Sequence, residues 1–164
     1  ELEDAGRLRI LIAGKTPTTL DELLPEAFGP ADLGVDARLL ATADNGLAAP
    51  PSHDDELAAA ALAAANASHA PYTRAYAGVA LRLRDETVHS GRYAECVAHN
   101  PSLPALQAAL VALALRRADA STIVDAVLVE AAGASSQRAA AAAALLAVAG
   151  VPLRYVAASP RRNR

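Results

Sequence analysis

The residues best equipped for chemistry lie in one short stretch, GRYAECVAHNPSLPALQAAL, residues 91–110. An acid (Glu95), a thiol (Cys96) and an imidazole (His99) fall between the expected end of a strand at Gly91 and the expected start of a helix at Ser102 or Leu103. A cysteine in a loop leading to a helix N-terminus, with a histidine close by, has the outline of a nucleophile and its base. Three residues in one loop do not complete such a site, because no partner acid is placed. A zinc site needs about four N, S or O donors at metal spacing, and the chain has neither a CxxC nor an HxE. Its G-x-x-x-x-G pattern lacks the Lys-Ser/Thr of a phosphate loop. His53-Asp54-Asp55-Glu56 reads as a helix start, where acids complement the dipole, rather than as a metal cluster. His69 and His89 read as surface polar residues.

The elements that must position these residues follow from periodicity. RLRILIAG (7–14) alternates as a strand, and Thr19 to Glu22 has the spacing of a capping box opening a short helix that Pro25 ends. Residues 29–51 are rich in Gly, Pro and Asn-Gly and read as a linker, with a short strand at Ala37 to Leu40. Ser52 with Asp55 is a second N-cap signal, opening an Ala/Leu helix from Asp55 to Ala67. AYAGVALRLR (75–84) and TVHSGR (87–92), joined by Asp85-Glu86, predict an antiparallel hairpin. A helix over 103–117 is apolar nearly all round, which predicts burial on more than one side. IVDAVLVEA (123–131) predicts a buried strand, 135–150 a helix with Gly150 just past its end, and 152–158 a last strand before the frayed tail 159–164. Helix, strand, strand, helix, strand, helix, strand implies a mixed sheet flanked by helices, a layered α/β domain.

Composition bounds the rest. The 164 residues suit one domain with part of a second. Hydrophobic residues make up 53% and aromatics 3%, so Ala, Leu and Val must build the core. A net charge of -3 gives no electrostatic case for nucleic acid or an anionic membrane. The longest apolar run, Ala105 to Leu115, is interrupted by Gln107 and is too short to span a bilayer. The single cysteine excludes an internal disulfide, and the chain has no signal peptide pattern. It also has no methionine, which reads as a fragment or a processed chain.

APYTRAYAGVALRLRDETVHSGRYAE (70–95) resembles the core of the cytidine deaminases, whose first strands read S-P-Y-S-x-x-x-V-G-A-A-L and then G-x-N-x-E. LLPEAFGPADL (23–33), AAANASHAPYTRAYAGVALRLRD (63–85) and GRYAECVAHNPSLPALQAAL (91–110) resemble the long bacterial and plant type, which carries two deaminase-like core domains. The match is to the second, C-terminal core domain. The resemblance implies a three-layer α/β/α fold with a mixed sheet. Residues 1–29 would be the tail of the catalytic first core domain, 30–51 a linker, 52–158 the C-terminal deaminase-like domain and 159–164 a frayed tail.

In the catalytic domain of that family, a His (or Cys)-Ala-Glu at the helix start gives a zinc ligand and a proton shuttle. A later Pro-Cys-x-x-Cys gives two thiolates, and zinc-bound hydroxide attacks C4 of cytosine. Aligned here, the ligand position is Pro104, the shuttle position Leu106 and the thiolate positions Ala132 and Ser135. Of the Asn-x-Glu pair, Tyr93 replaces the Asn and Glu95 remains, a vestigial nucleoside contact or a cap for backbone N–H groups. The resemblance therefore implies no catalytic residue, metal ligand or cofactor in this chain, with zinc in the catalytic domain of the whole enzyme. That enzyme would be a cytoplasmic homodimer turning cytidine and deoxycytidine into uridine and deoxyuridine in pyrimidine salvage. The loop Cys96 to Pro101, with Val97, Ala98 and His99, would help close the partner's pocket. The alternatives are a degenerate nucleoside-binding module and a purely structural dimerisation domain.

Overall fold

The computed structural model describes residues 5–41, 44–53, 55–98 and 101–161. They fall into two compact units divided after Ala41. In the first unit, β1 (Arg9–Ile10) pairs antiparallel with β2 (Thr18–Thr19), which leads into the single-turn α1 (Leu20–Leu23). The expected capping box is present: Thr19 Oγ1 accepts the Glu22 N–H, and the Glu22 carboxylate accepts the Thr19 N–H at 2.8 Å. The strand expected over 7–14 is cut to two residues, because only these find a partner strand. None of the described residues of this unit is buried.

The second unit is built on a five-stranded sheet in the order β3-β7-β6-β4-β5. These strands are β3 (Leu47–Ala48), β4 (Ala77–Leu83), β5 (Val88–Arg92), β6 (Ile123–Ala131) and β7 (Arg154–Pro160). β6 and β7 are parallel, joined through the helix α4 (Arg138–Ala149), and the remaining pairs are antiparallel. The hairpin closes at Asp85-Glu86, with Arg82 opposite Val88.

Alternation along the central strands sends side chains to two cores. Val79, Leu81 and Leu128 meet α3 (Ala105–Leu115) and α4 through Leu106, Ala109, Leu113 and Leu145. On the other face Ala80, Val127, Val129 and Val156 meet α2 (Glu56–Asn66) through Leu57, Ala58, Ala61 and Ala65. The result is the three-layer α/β arrangement with a mixed sheet that the sequence implied.

Two glycines set the layer spacing. A Cβ on Gly78 would fall 2.2 Å from the backbone nitrogen of Ala65, and one on Gly91 would fall 2.2 Å from that of Ala109. α2 and α3 therefore lie on the sheet at bare backbone, and the alanines lining both helices suit so close an approach.

Several boundaries differ from expectation, each for a local reason. The expected strand at 37–40 is absent; Leu47, 4% exposed, is the buried residue of that region and lies in β3. Asn66 fixes it by accepting the Leu47 N–H at 2.7 Å and donating to its carbonyl at 3.1 Å, so part of the expected linker belongs to the sheet. Asp55 is the N-cap of α2, accepting the Ala58 N–H at 3.0 Å; its neighbour Asp54 lies outside the described residues. α3 starts at Ala105, because Leu103 is held extended by reciprocal backbone bonds to Ala94. Pro104, inside the helix expected over 103–117, is consequently its N-cap residue. α4 starts at Arg138, later than expected, and Gly150 ends it with φ 70°, a conformation glycine adopts without steric cost. Ser159 and Pro160, expected in the frayed tail, pair with β3.

Candidate functional site

Where α3 and α4 begin, beyond the ends of β5 and β6, a cavity of about 330 Å³ is lined by Tyr93, Ser102, Pro104, Ser135, Ser136 and Gln137, with Thr73 and Ala75. Three of the residues singled out by the sequence thus meet here: Tyr93, Pro104 and Ser135. Leu106 sits one residue into α3, 2% exposed and packed in the core. Ala132 does not join them; it lines a separate cavity of about 470 Å³ with Arg74 and Tyr76, and its N–H donates to the Ala158 carbonyl at 2.8 Å.

Glu95 is 3% exposed and is not among the residues lining the first cavity. Its Oε2 accepts the N–H groups of Tyr72 at 2.9 Å and Thr73 at 3.2 Å. The carboxylate thereby fixes the turn before β4, the capping role that the sequence left open. His69, expected at the surface, is buried, because its backbone lies between Tyr93 and Glu95: its N–H donates to Tyr93 and its carbonyl accepts from Glu95 at 2.7 Å. His89 is half-buried on β5. Cys96 is half-buried, and its N–H donates to Ser102 Oγ at 3.0 Å. Val97 is half-buried and Ala98 exposed; His99 lies outside the described residues.

Sequence reasoning missed a second buried carboxylate. Glu130, near the end of β6 and 3% exposed, accepts the Ser136 hydroxyl and the Gln137 N–H, each at 2.6 Å. Gln137 Oε1 in turn accepts the Ala105 N–H at 3.0 Å. Burial, and then the charge of Glu130, push the Tyr155 phenol above its ordinary pKa, while the Arg138 guanidinium lies 4.5 Å from the centre of the Tyr155 ring. The available signal was an acid in the apolar second half of β6, beyond Asp125, where a buried carboxylate must find donors.

Residues 20–143 match the family model described as the cytidine and deoxycytidylate deaminase zinc-binding region. The chain belongs to this family. It is 48% identical over 130 residues to a cytidine deaminase of Serratia proteamaculans, which is 79% of this chain and 44% of the relative. It is 42% identical over 160 residues to a cytidine deaminase of Photobacterium profundum, 96% of this chain and 54% of the relative. The chain spans about half the length of these curated relatives. The fold matches the crystal structure of cytidine deaminase from Burkholderia pseudomallei with TM-score 0.52 and 20% identity, covering 63% of this chain and 89% of that one. It matches that from Mycobacterium tuberculosis with TM-score 0.50 and 24% identity, covering 59% and 78%.

The family model names zinc, but the residues at the two helix starts do not fit it. Proline and alanine offer no side-chain donor, and serine and glutamine are neutral oxygen donors where zinc takes thiolate, imidazole or carboxylate. Glu130, the carboxylate bonded at the start of α4, already accepts a bond at each oxygen. Among the described residues, no group of three or more His, Cys, Asp and Glu side chains could hold a metal ion. Nor is any helix among them long and apolar enough to cross a membrane.

Proposed function

We propose that this chain is the non-catalytic C-terminal core domain of a two-domain cytidine deaminase. The observation that carries the reading is the make-up of the two helix starts. Pro104 and Ser135 line the cavity there and Leu106 is sealed in the core, so the aligned positions offer neither a hydroxide generator nor a proton shuttle. In this reading the whole enzyme hydrolyses cytidine and deoxycytidine to uridine and deoxyuridine in cytoplasmic pyrimidine salvage. Zinc resides in its other core domain, and residues 1–29 are the tail of that domain.

The second part of the proposal is assembly. This domain builds a homodimer and, with Val97, Ala98 and His99, helps close the partner's pocket. The exposed apolar residues of α3 support it: Val111 is 51% exposed and Leu115, one turn on, 81%. Glu95 favours the structural alternative over a nucleoside-binding one, because its Oε2 is committed to two backbone N–H groups. The test is ammonia release from cytidine by the purified chain, with and without chelator. Background release is expected; turnover that chelator abolishes would place a working site in this chain.

A further inference from the structure

Two helices begin at the cavity edge, and neither is capped by the side chain of its own N-cap residue. α3 follows Pro104, which has no side-chain acceptor, and the Gln137 side chain makes no cap to its own helix, α4. A helix start leaves its first N–H groups without intrahelical partners. At α4 the first of them, that of Arg138, goes to Ser136 Oγ at 3.1 Å, just before the helix; at α3 the partner comes from another element. Gln137, at the start of α4, gives its Oε1 to the first N–H of α3, that of Ala105, which is fully buried. Glu130, at the end of β6, gives Oε1 to the Gln137 N–H and Oε2 to the Ser136 hydroxyl. One continuous chain of bonds thus runs from β6 through the start of α4 to the start of α3. Glu130 also lies at the positive end of the α4 dipole, a favourable place for a buried anion.

We propose that Glu130 and Gln137 form a metal-independent clamp that holds the α3 and α4 starts together. The clamp lies at the helix starts where the aligned ligand positions Pro104 and Ser135 fall; that comparison rests on the reading under Proposed function, whereas the bonds do not. Gln137 is then a positioning residue for α3, and through α3 for the cavity wall at Pro104.

The test is amide hydrogen exchange by NMR on the full 164-residue chain. In the wild type the Ala105 N–H should exchange slowly although it opens a helix. Gln137→Met, which keeps length and removes the acceptor, should speed exchange at Ala105 by about tenfold while β4 and β6 amides keep their protection. Gln137→Glu, which keeps an acceptor oxygen, should restore it. Excess zinc or chelator should leave Ala105 exchange and the melting temperature unchanged. Should Gln137→Met fail to fold, the wild-type rate and Gln137→Glu still decide. Fast wild-type exchange at Ala105, or protection unaltered by Gln137→Met, overturns the clamp. A stoichiometric zinc-induced rise in melting temperature overturns its metal independence. Cytidine turnover by the wild type would instead overturn the non-catalytic reading and leave the exchange results standing.

Discussion

Replacing Gly91 by alanine probes how hard α3 is pressed on the sheet. The new Cβ would fall 2.2 Å from the Ala109 nitrogen and 2.4 Å from the Ala105 oxygen. Ordinary contact begins near 3.4 Å, so α3 must retreat by about 1.2 Å. Both obstacles are backbone, so no side-chain rotation relieves them. Overpacking of a well-filled core costs about 1–3 kcal/mol, and a backbone obstacle belongs at the upper end, about 3 kcal/mol. For a chain of this size that is a fall in melting temperature of about 6–12 °C. The retreat also strains the Gln137–Ala105 bond, since Ala105 moves with the helix. Urea unfolding at one low protein concentration, followed by circular dichroism, measures the loss from the midpoint. Two controls isolate the cause. Gly150→Ala, with φ 70° but open space around it, should cost only about 1–2 kcal/mol. Trimming Ala109 to glycine in the Gly91→Ala background should restore nothing. A Gly91→Ala protein within about 0.5 kcal/mol of wild type, or a rescue by Ala109→Gly, would refute the close-approach reasoning.

Other predictions follow from single contacts. Glu95→Ala leaves the Tyr72 and Thr73 N–H groups without their acceptor and should cost about 2–3 kcal/mol in urea unfolding, with Glu95→Gln losing less. Arg154 bridges Asp55 at 2.8 Å and Asp125 at 2.9 Å, all three partly exposed, so Arg154→Met should cost about 0.5–1 kcal/mol. Hydrogen bonding from Arg154, then from the Ala58 N–H, lowers the Asp55 pKa from 3.8 to about 2. A depressed carboxylate stabilises the fold above its unfolded pKa, so this share is complete above pH 3.8 and is lost as pH falls towards about 2. Acid titrations of unfolding should show that loss reduced in Arg154→Met. Leu115→Asp, and Val111→Asp beside it, should lower the mass seen by light scattering while leaving the unfolding midpoint of the monomer unchanged; a mass that does not move would count against α3 as the association face.

Elements with a strong local signature were legible in the sequence. The Thr19–Glu22 capping box, the β4–β5 hairpin and β6 from Ile123 to Ala131 have periods or turn residues that need no tertiary help. Boundaries set by long-range partners were not. β3 depends on Asn66, 19 residues away, and Leu103 is kept out of α3 by Ala94. The same limit applies to the site. Pro104 and Ser135 could be placed together through a resemblance, but Ala132 faces another cavity. In the helix read as apolar nearly all round, Leu113 is 1% exposed inside the chain's own core, whereas Val111 and Leu115 are exposed. Apolar periodicity identifies a helix buried on several sides; it does not say which side a neighbour covers. The Glu130–Gln137–Ala105 chain joins residues up to 32 positions apart, and no spacing rule announces it.

In the proposed reading this chain keeps the deaminase fold without the donors that make it catalytic. Elemental analysis of the purified chain, after dialysis against zinc-containing buffer and desalting, decides between that reading and a working metal site. With Pro104, Ala132 and Ser135 at the aligned ligand positions, the expected result is far below one zinc per chain. About one zinc per chain, retained through desalting and released by chelator, would contradict the account.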